Sequence, residues 1–165
     1  MQTGVVARIN VNPAGGVPKH AVPSAQITAG GVIGDRQLDL EHHGGPERAV
    51  SLYSVERIAA LNAEGHPIAA GTAGENLTLA GIDWERLGPG ARLTIGEGVI
   101  LEITRPAPPC KTIAASFADE RFVRISEKVH PGWSRYYCRV LREGVVRVDD
   151  PVAVDTDSVR IDAAE

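Results

Sequence analysis

Residues 91–104 read Ala91-Arg92-Leu93-Thr94-Ile95-Gly96-Glu97-Gly98-Val99-Ile100-Leu101-Glu102-Ile103-Thr104. Two runs of period-two apolar spacing flank a Gly-Glu-Gly connection, the pattern of a β-hairpin. Leu93 and Ile95 share one face of the first strand, and Leu101 and Ile103 one face of the second. The same alternation recurs outward from this hairpin. Val5, Ala7, Ile9 and Val11 interleave with Val6, Arg8 and Asn10, giving a half-buried strand that Asn12-Pro13 and Gly15-Gly16 terminate. Residues 21–28 return as a second strand before Gly30-Gly31, residues 76–79 form another, and a final pair over 136–141 and 145–148 flanks Arg142-Glu143-Gly144. Ser54 is a helix N-cap, with an apolar face at Val55, Ile58, Ala59 and Leu61 and a stop at Gly65. Residues 112–126 carry an interrupted helical pattern. The expected fold is mostly β and largely antiparallel with a few short helices, a barrel or a sandwich.

The chain has 165 residues, 18 glycines and 11 prolines, a composition that favours short strands with frequent reversals. A chain of this length buries enough surface to fold without disulfides or a structural metal. No internal repeat or linker divides it, so one domain over 1–154 is expected, with an acidic, flexible tail over 155–165. The net charge of -4 removes the electrostatic warrant for non-specific binding to nucleic acid or membrane surfaces. Two cysteines are too few for a disulfide framework or a four-thiolate iron-sulfur cluster, so any electron donor is a separate protein. No apolar run approaches the length of a membrane span, no signal-like segment opens the chain, and a cytoplasmic location is expected.

Three segments carry chemistry. In Thr104-Arg105-Pro106-Ala107-Pro108-Pro109-Cys110-Lys111, which begins where a strand is expected to end, three prolines fix φ and remove backbone donors. Cys110 is therefore presented on a stiff arm, with the Lys111 cation beside it to favour the thiolate, a ligand suited to soft or redox-active metals. The alternative for Cys110 is a small buried hydrophobe; Cys138, in an alternating apolar run, is expected to be core. The second segment, residues 34–48, contains Asp35, Arg36, Asp39, His42-His43, Gly44-Gly45 and Arg48 with little to bury. Its glycines allow close backbone approach and an anion nest, and Arg36 and Arg48 supply charge for a phosphate. Polar side chains bonding their own turn are the structural alternative. Zinc held by the histidines and Cys110 is disfavoured, because adjacent histidines point in different directions and no paired spacing exists. The third segment, Gly71-Thr72-Ala73-Gly74-Glu75-Asn76, sets a carboxylate and an amide between a glycine-rich turn and a strand. It matches neither a phosphate loop nor a dinucleotide fingerprint, and no Gly-x-Ser-x-Gly elbow occurs in the chain.

Taken in order, Gly34-Asp35, then His42-His43-Gly44-Gly45-Pro46-Glu47-Arg48-Ala49-Val50, then Gly74-Glu75-Asn76-Leu77-Thr78, then the Cys110 arm and Gly132-Trp133-Ser134-Arg135-Tyr136-Tyr137-Cys138, the chain resembles the MOSC domain family, named for the C-terminal domain of molybdenum cofactor sulfurases, and within it the small stand-alone bacterial members. The resemblance implies a barrel-like fold that binds a molybdenum cofactor, Mo-molybdopterin, with Cys110 as thiolate ligand to molybdenum. It implies reduction of N-hydroxylated compounds, hydroxylamino purines and amidoximes, with electrons from a separate flavin or iron-sulfur reductase. Gly44, Gly45, Arg48 and Lys111 are then expected at the pterin phosphate. Asp35, His43, Glu75 and Asn76 are expected to line the pocket, with His43 delivering a proton. The alternative within the resemblance is a non-catalytic carrier of the cofactor or of a persulfide sulfur. A single domain without the aminotransferase-like domain of the eukaryotic sulfurases is expected. Where the family motif reads Gln-Pro-Arg-x-Pro-Cys, this chain reads Arg105-Pro106-Ala107-Pro108-Pro109-Cys110, so its arginine stands two positions earlier.

Overall fold

The structure is a computed structural model that describes residues 1–36, 45–157 and 159. Its strands are β1 (Gln2–Val11), β2 (His20–Val22), β3 (Ser24–Thr28), β4 (Gly31–Val32), β5 (Val50–Ser54), β6 (Leu77–Ala80), β7 (Arg92–Ile95), β8 (Val99–Ala107), β9 (Arg135–Arg142), β10 (Gly144–Arg147) and β11 (Pro151–Asp155), with one α-helix, α1 (Val55–Ala63), among the described residues. The main sheet runs β11-β7-β8-β9-β5-β6-β1, and pairing of β11 with β1 closes it into a seven-stranded barrel, with β2 attached to β1. Closure removes the exposed edges of an open sheet. A three-stranded sheet, β10-β3-β4, lies outside this ring. Of the pairings among the described residues, only β5 with β6 is parallel, and α1 supplies that crossover.

The barrel is filled by the residues whose alternation defines the strands. Val6, Ile9, Leu52, Leu77, Leu79, Leu93, Ile95, Leu101, Ile103, Cys138, Val152 and Val154 are buried in one cluster. The hairpin forms as expected, with Leu93 opposite Leu101 and Ile95 opposite Val99. Ser54 caps α1, accepting a hydrogen bond from the Arg57 amide at 3.1 Å, and Ile58 and Leu61 face the core. No helix of the described residues is long and apolar enough to cross a membrane.

Four expectations are corrected. Residues 21–28 are not one strand: Pro23 lacks an amide donor and separates β2 from β3, which enter different sheets. The interrupted pattern of residues 112–126 is a chain of 3-10 turns, Lys111–Ser116, Ala118–Glu120 and Phe122–Ile125, broken by positive φ at Asp119 and Glu120. The two strands flanking Arg142-Glu143-Gly144 do not pair with each other: β9 lies between β8 and β5 in the barrel, whereas β10 joins β3. Finally, β8 does not end at Thr104 but continues to Ala107, so the first residues of the proline arm belong to the barrel.

Candidate functional site

The segment that carries Cys110 leaves the barrel through a change of register. Ile103 pairs with Cys138 on β9, but Arg105 pairs with Tyr137, and the ladder then runs on to Pro106 with Tyr136 and Ala107 with Arg135. One residue of β8 is thus extra, a bulge centred on Thr104. Such a bulge re-aims the side chains beyond it. Without it Arg105 and Ala107 would share the core face of Ile103; with it they share the face of Tyr137 and Arg135, away from Cys138. Pro108 and Pro109 carry the chain on to Cys110, a free thiol that is half-buried in extended backbone. Cys110 then begins the 3-10 turn Lys111–Ser116, its carbonyl accepting from the Ile113 amide at 3.1 Å. Lys111 is exposed next to it.

Several charges converge here. The Arg48 guanidinium lies 6.0 Å over the Tyr137 ring. Burial holds the Tyr137 hydroxyl above its usual range, while Arg135, Arg48 and Arg105 pull it down and Cys110 pushes it up. Tyr137 thus lies beneath Arg48, opposite Arg105 in the ladder and two positions from Arg135 on β9. Arg135 is buried, and its guanidinium donates to the backbone carbonyls of Ala73 at 2.7 Å, Ala107 at 3.4 Å and Pro108 at 3.2 Å. Cys138, by contrast, is fully buried, and burial pushes its thiol far up, as a core cysteine requires.

The second wall is a lattice of buried polar groups. Asn76 accepts from the Ser51 amide at 3.1 Å and donates from Nδ2 to the Asn10 carbonyl at 3.3 Å and to Asp35 Oδ2 at 2.8 Å. Its amide thus ties β5 to β1 at the mouth of β6. Asp35 Oδ2 also meets Lys19 Nζ at 2.6 Å, and Oδ1 accepts from the Asn12 amide at 2.8 Å. Glu75 takes the Gly71 amide at 3.0 Å and the Thr78 hydroxyl at 3.1 Å. Gly71 has φ +87, and a Cβ there would collide with the Lys19 carbonyl oxygen, so only glycine lets these two loops meet. Gly45 has φ 81 and ψ 170, another glycine-only conformation, at the start of the turn Pro46–Arg48. The sequence-expected residues Asp35, Gly45, Arg48, Glu75, Asn76, Cys110 and Lys111 are all described, whereas His43 and Gly44, with Asp39 and His42, lie outside the described residues.

A family model for the MOSC domain matches residues 39–153. The chain belongs to the MOSC domain family. Bacillus subtilis YflK is 34% identical over 114 residues, 68% of this chain and 50% of YflK. A Gibberella moniliformis protein named a reductase is 29% identical over 131 residues, 77% of this chain and 23% of that protein. This MOSC domain thus spans about half of one relative and about a quarter of the other. Among solved structures it is similar to YuaD from B. subtilis, with TM-score 0.72 and 19% identity over 92% of this chain and 95% of that one. YiiM from Geobacillus stearothermophilus has TM-score 0.71 and 22% identity over 96% and 80% of the two chains. These likenesses establish the fold.

The MOSC chain also holds site residues that sequence reading passed over: Arg135, Tyr137, Lys19, Asn10 and Ser51. Lys19 gave no local signal. Arg135 did give one, since an arginine two positions before a buried tyrosine lies on that tyrosine's face of the strand.

Burial raises the Glu75 carboxyl to about 7, against its hydrogen bonds from Thr78, from Gly71 and from its own backbone and against the charge of Arg135. A carboxyl raised on folding stabilises the native state below the unfolded pKa of 4.5 and loses that contribution as pH rises through 7. The loss amounts to about 3 kcal/mol. Glu75→Gln is expected to flatten this part of the pH dependence. Urea melts of both proteins at several pH values check it: a constant wild-type-to-variant difference from acid to alkaline pH would show that Glu75 does not titrate in this range.

Proposed function

We propose that this MOSC domain holds a molybdenum-pterin cofactor through the Cys110 thiolate and reduces N-hydroxylated compounds with electrons from a separate redox protein. The observation that carries the reading is Cys110 itself, a half-buried free thiol on a proline-stiffened arm that extends a strand flanked by arginines: Arg105 opposite Tyr137, Arg48 over the ring of that tyrosine, and Arg135 bonded to the Pro108 carbonyl. The donor set fits the group. A metal that brings its own chelating cofactor needs one soft thiolate from the protein, and Cys110 is free and half-buried. The arginines suit the anionic phosphate of the pterin. The relative named a reductase supports the reaction class.

When bound, the cofactor supplies electrons through the oxidation states of its metal, and cleavage of an N-O bond consumes two electrons and two protons to give the amine and water. The chain's own residues bind, orient and exclude water. Cys110 anchors the metal. Arg48, Lys111 and the Gly45 backbone, with Gly44, hold the phosphate. Asp35, Glu75 and Asn76 support the turn that Arg135 ties to the Cys110 arm, their polar atoms engaged within the protein lattice. His43 is assigned delivery of a proton to the departing oxygen.

Metal-loaded protein is expected to be nearly inactive with a nicotinamide donor alone, because the chain carries no dinucleotide fingerprint and too few thiols for a four-cysteine cluster. A chemical reductant or an added flavin or iron-sulfur reductase is expected to restore turnover of a hydroxylamino purine, with an amidoxime as the second substrate. Loaded protein that reduces neither under strong reductant, yet passes cofactor or sulfur to an acceptor protein, overturns the enzyme in favour of a carrier.

A further inference from the structure

The arm that presents Cys110 has a deficit that its own sequence creates. Pro106, Pro108 and Pro109 have no amide hydrogen, so between Arg105 and Cys110 only Ala107 donates from the backbone. An arm that cannot donate must be held by its acceptors. Ala107 and Pro108 offer their carbonyls, and the side chain that takes both is Arg135, with Ser134 Oγ sharing Ala107 at 3.3 Å. The third carbonyl on the same guanidinium belongs to Ala73, in the turn that leads to Glu75 and Asn76. One planar cation therefore joins the two walls of the site.

The position of Arg135 is also specific. It is the direct ladder partner of Ala107, and both are buried. Side chains directly opposite in an antiparallel pair stand on one face within contact distance. Ala107 has only a methyl group on that face. Among the described residues Arg135 forms no ion pair with a carboxylate, and its Nε has no acceptor. The buried guanidinium is instead met by three backbone carbonyls, so its charge is compensated only where the arm and the turn of residues 71–76 stand in this arrangement.

We propose that Arg135 is the positioning residue of the Cys110 arm, reaching from β9 to lock the arm to the turn of residues 71–76. It acts through backbone carbonyls and needs no contact with the thiol itself. The downstream end of the arm is tied separately: Ser116 Oγ donates to the Thr72 carbonyl at 3.1 Å or to Thr72 Oγ1 at 2.9 Å. Loss of Arg135 therefore frees the upstream half while leaving the anchor at Ser116.

The role rests on Cys110 being the working thiol, but its test does not require the cofactor. Metal-free wild type, Arg135→Met and Arg135→Lys are treated with iodoacetamide from about pH 6 to about pH 10, and alkylation of Cys110 and Cys138 is followed separately by mass spectrometry. Arg135→Met is expected to raise the limiting alkylation rate of Cys110 about tenfold, the equivalent of one charge-assisted hydrogen bond. Arg135→Lys, which keeps the charge but loses the fork, is expected to raise it about threefold. Cys138 stays unmodified in all three, so general unfolding is read out in the same sample. A Cys110 profile superimposable on wild type in Arg135→Met overturns the proposal, and if that variant does not fold, the same result in Arg135→Lys does so. Molybdenum retention by wild type, measured in parallel, judges the cofactor reading alone.

Discussion

Cys110→Ser is expected to leave this MOSC domain folded and without molybdenum when it is produced in cells that make the cofactor. A neutral hydroxyl is a poor ligand for a soft metal, and nothing else in the described site offers a thiolate. Retained metal is expected to fall below about a tenth of the wild-type content, with N-hydroxy reduction falling in step. The control is Cys138→Ser. Cys138 is buried between Val50 on β5 and Ile103 on β8, so a hydroxyl there costs about 1–3 kcal/mol of stability and leaves the metal in place. Metal analysis and thermal melts of both variants check the pair. Equal molybdenum in wild type and Cys110→Ser removes the ligand assignment.

Lys19→Met is expected to produce the largest loss of stability. Lys19 and Asp35 form a 2.6 Å ion pair whose side chains are 5% and 4% exposed, and Asp35 is the acceptor that Asn76 and the Asn12 amide share. Breaking one side of a buried pair strands the other charge, at a cost of about 3–5 kcal/mol. For a chain of this length that lowers the thermal midpoint by roughly 10 °C. Lys19→Met combined with Asp35→Asn is expected to recover part of the loss, because the amide oxygen keeps an acceptor without the charge. A thermal midpoint for Lys19→Met within a degree or so of wild type would show that the carboxylate does not depend on Lys19. The consequence reaches the site: the same carboxylate receives Asn76, whose backbone and side chain bind Ser51, so the pair secures the meeting of β1, β5 and β6.

The features legible in the chain alone were local ones. Alternation of Leu93, Ile95, Leu101 and Ile103 about Gly96-Glu97-Gly98 specifies a hairpin, since a turn and its flanking strands are adjacent in the chain. Ser54 marks the start of α1 because an N-cap acts over one turn. The stiffness of the Cys110 arm was legible because proline constrains its immediate neighbours, and Cys138 as core because period-two alternation predicts burial. Pairing across distance, by contrast, was settled by the assembled fold. Nothing local announces that β11 closes on β1, or that β9 and β10 enter different sheets, because pairing partners are chosen by total burial rather than by the residues of either strand alone. The bulge at Thr104 is one residue of register, yet it turns Arg105 and Ala107 from the core face to the face of Tyr137 and Arg135. Lys19 meets Asp35 across the whole of β2, β3 and β4, and Arg135 on β9 meets Ala73 and Ala107 on two other segments. A buried charge finds its partners only when folding removes water from both, and that removal is a property of the assembled barrel.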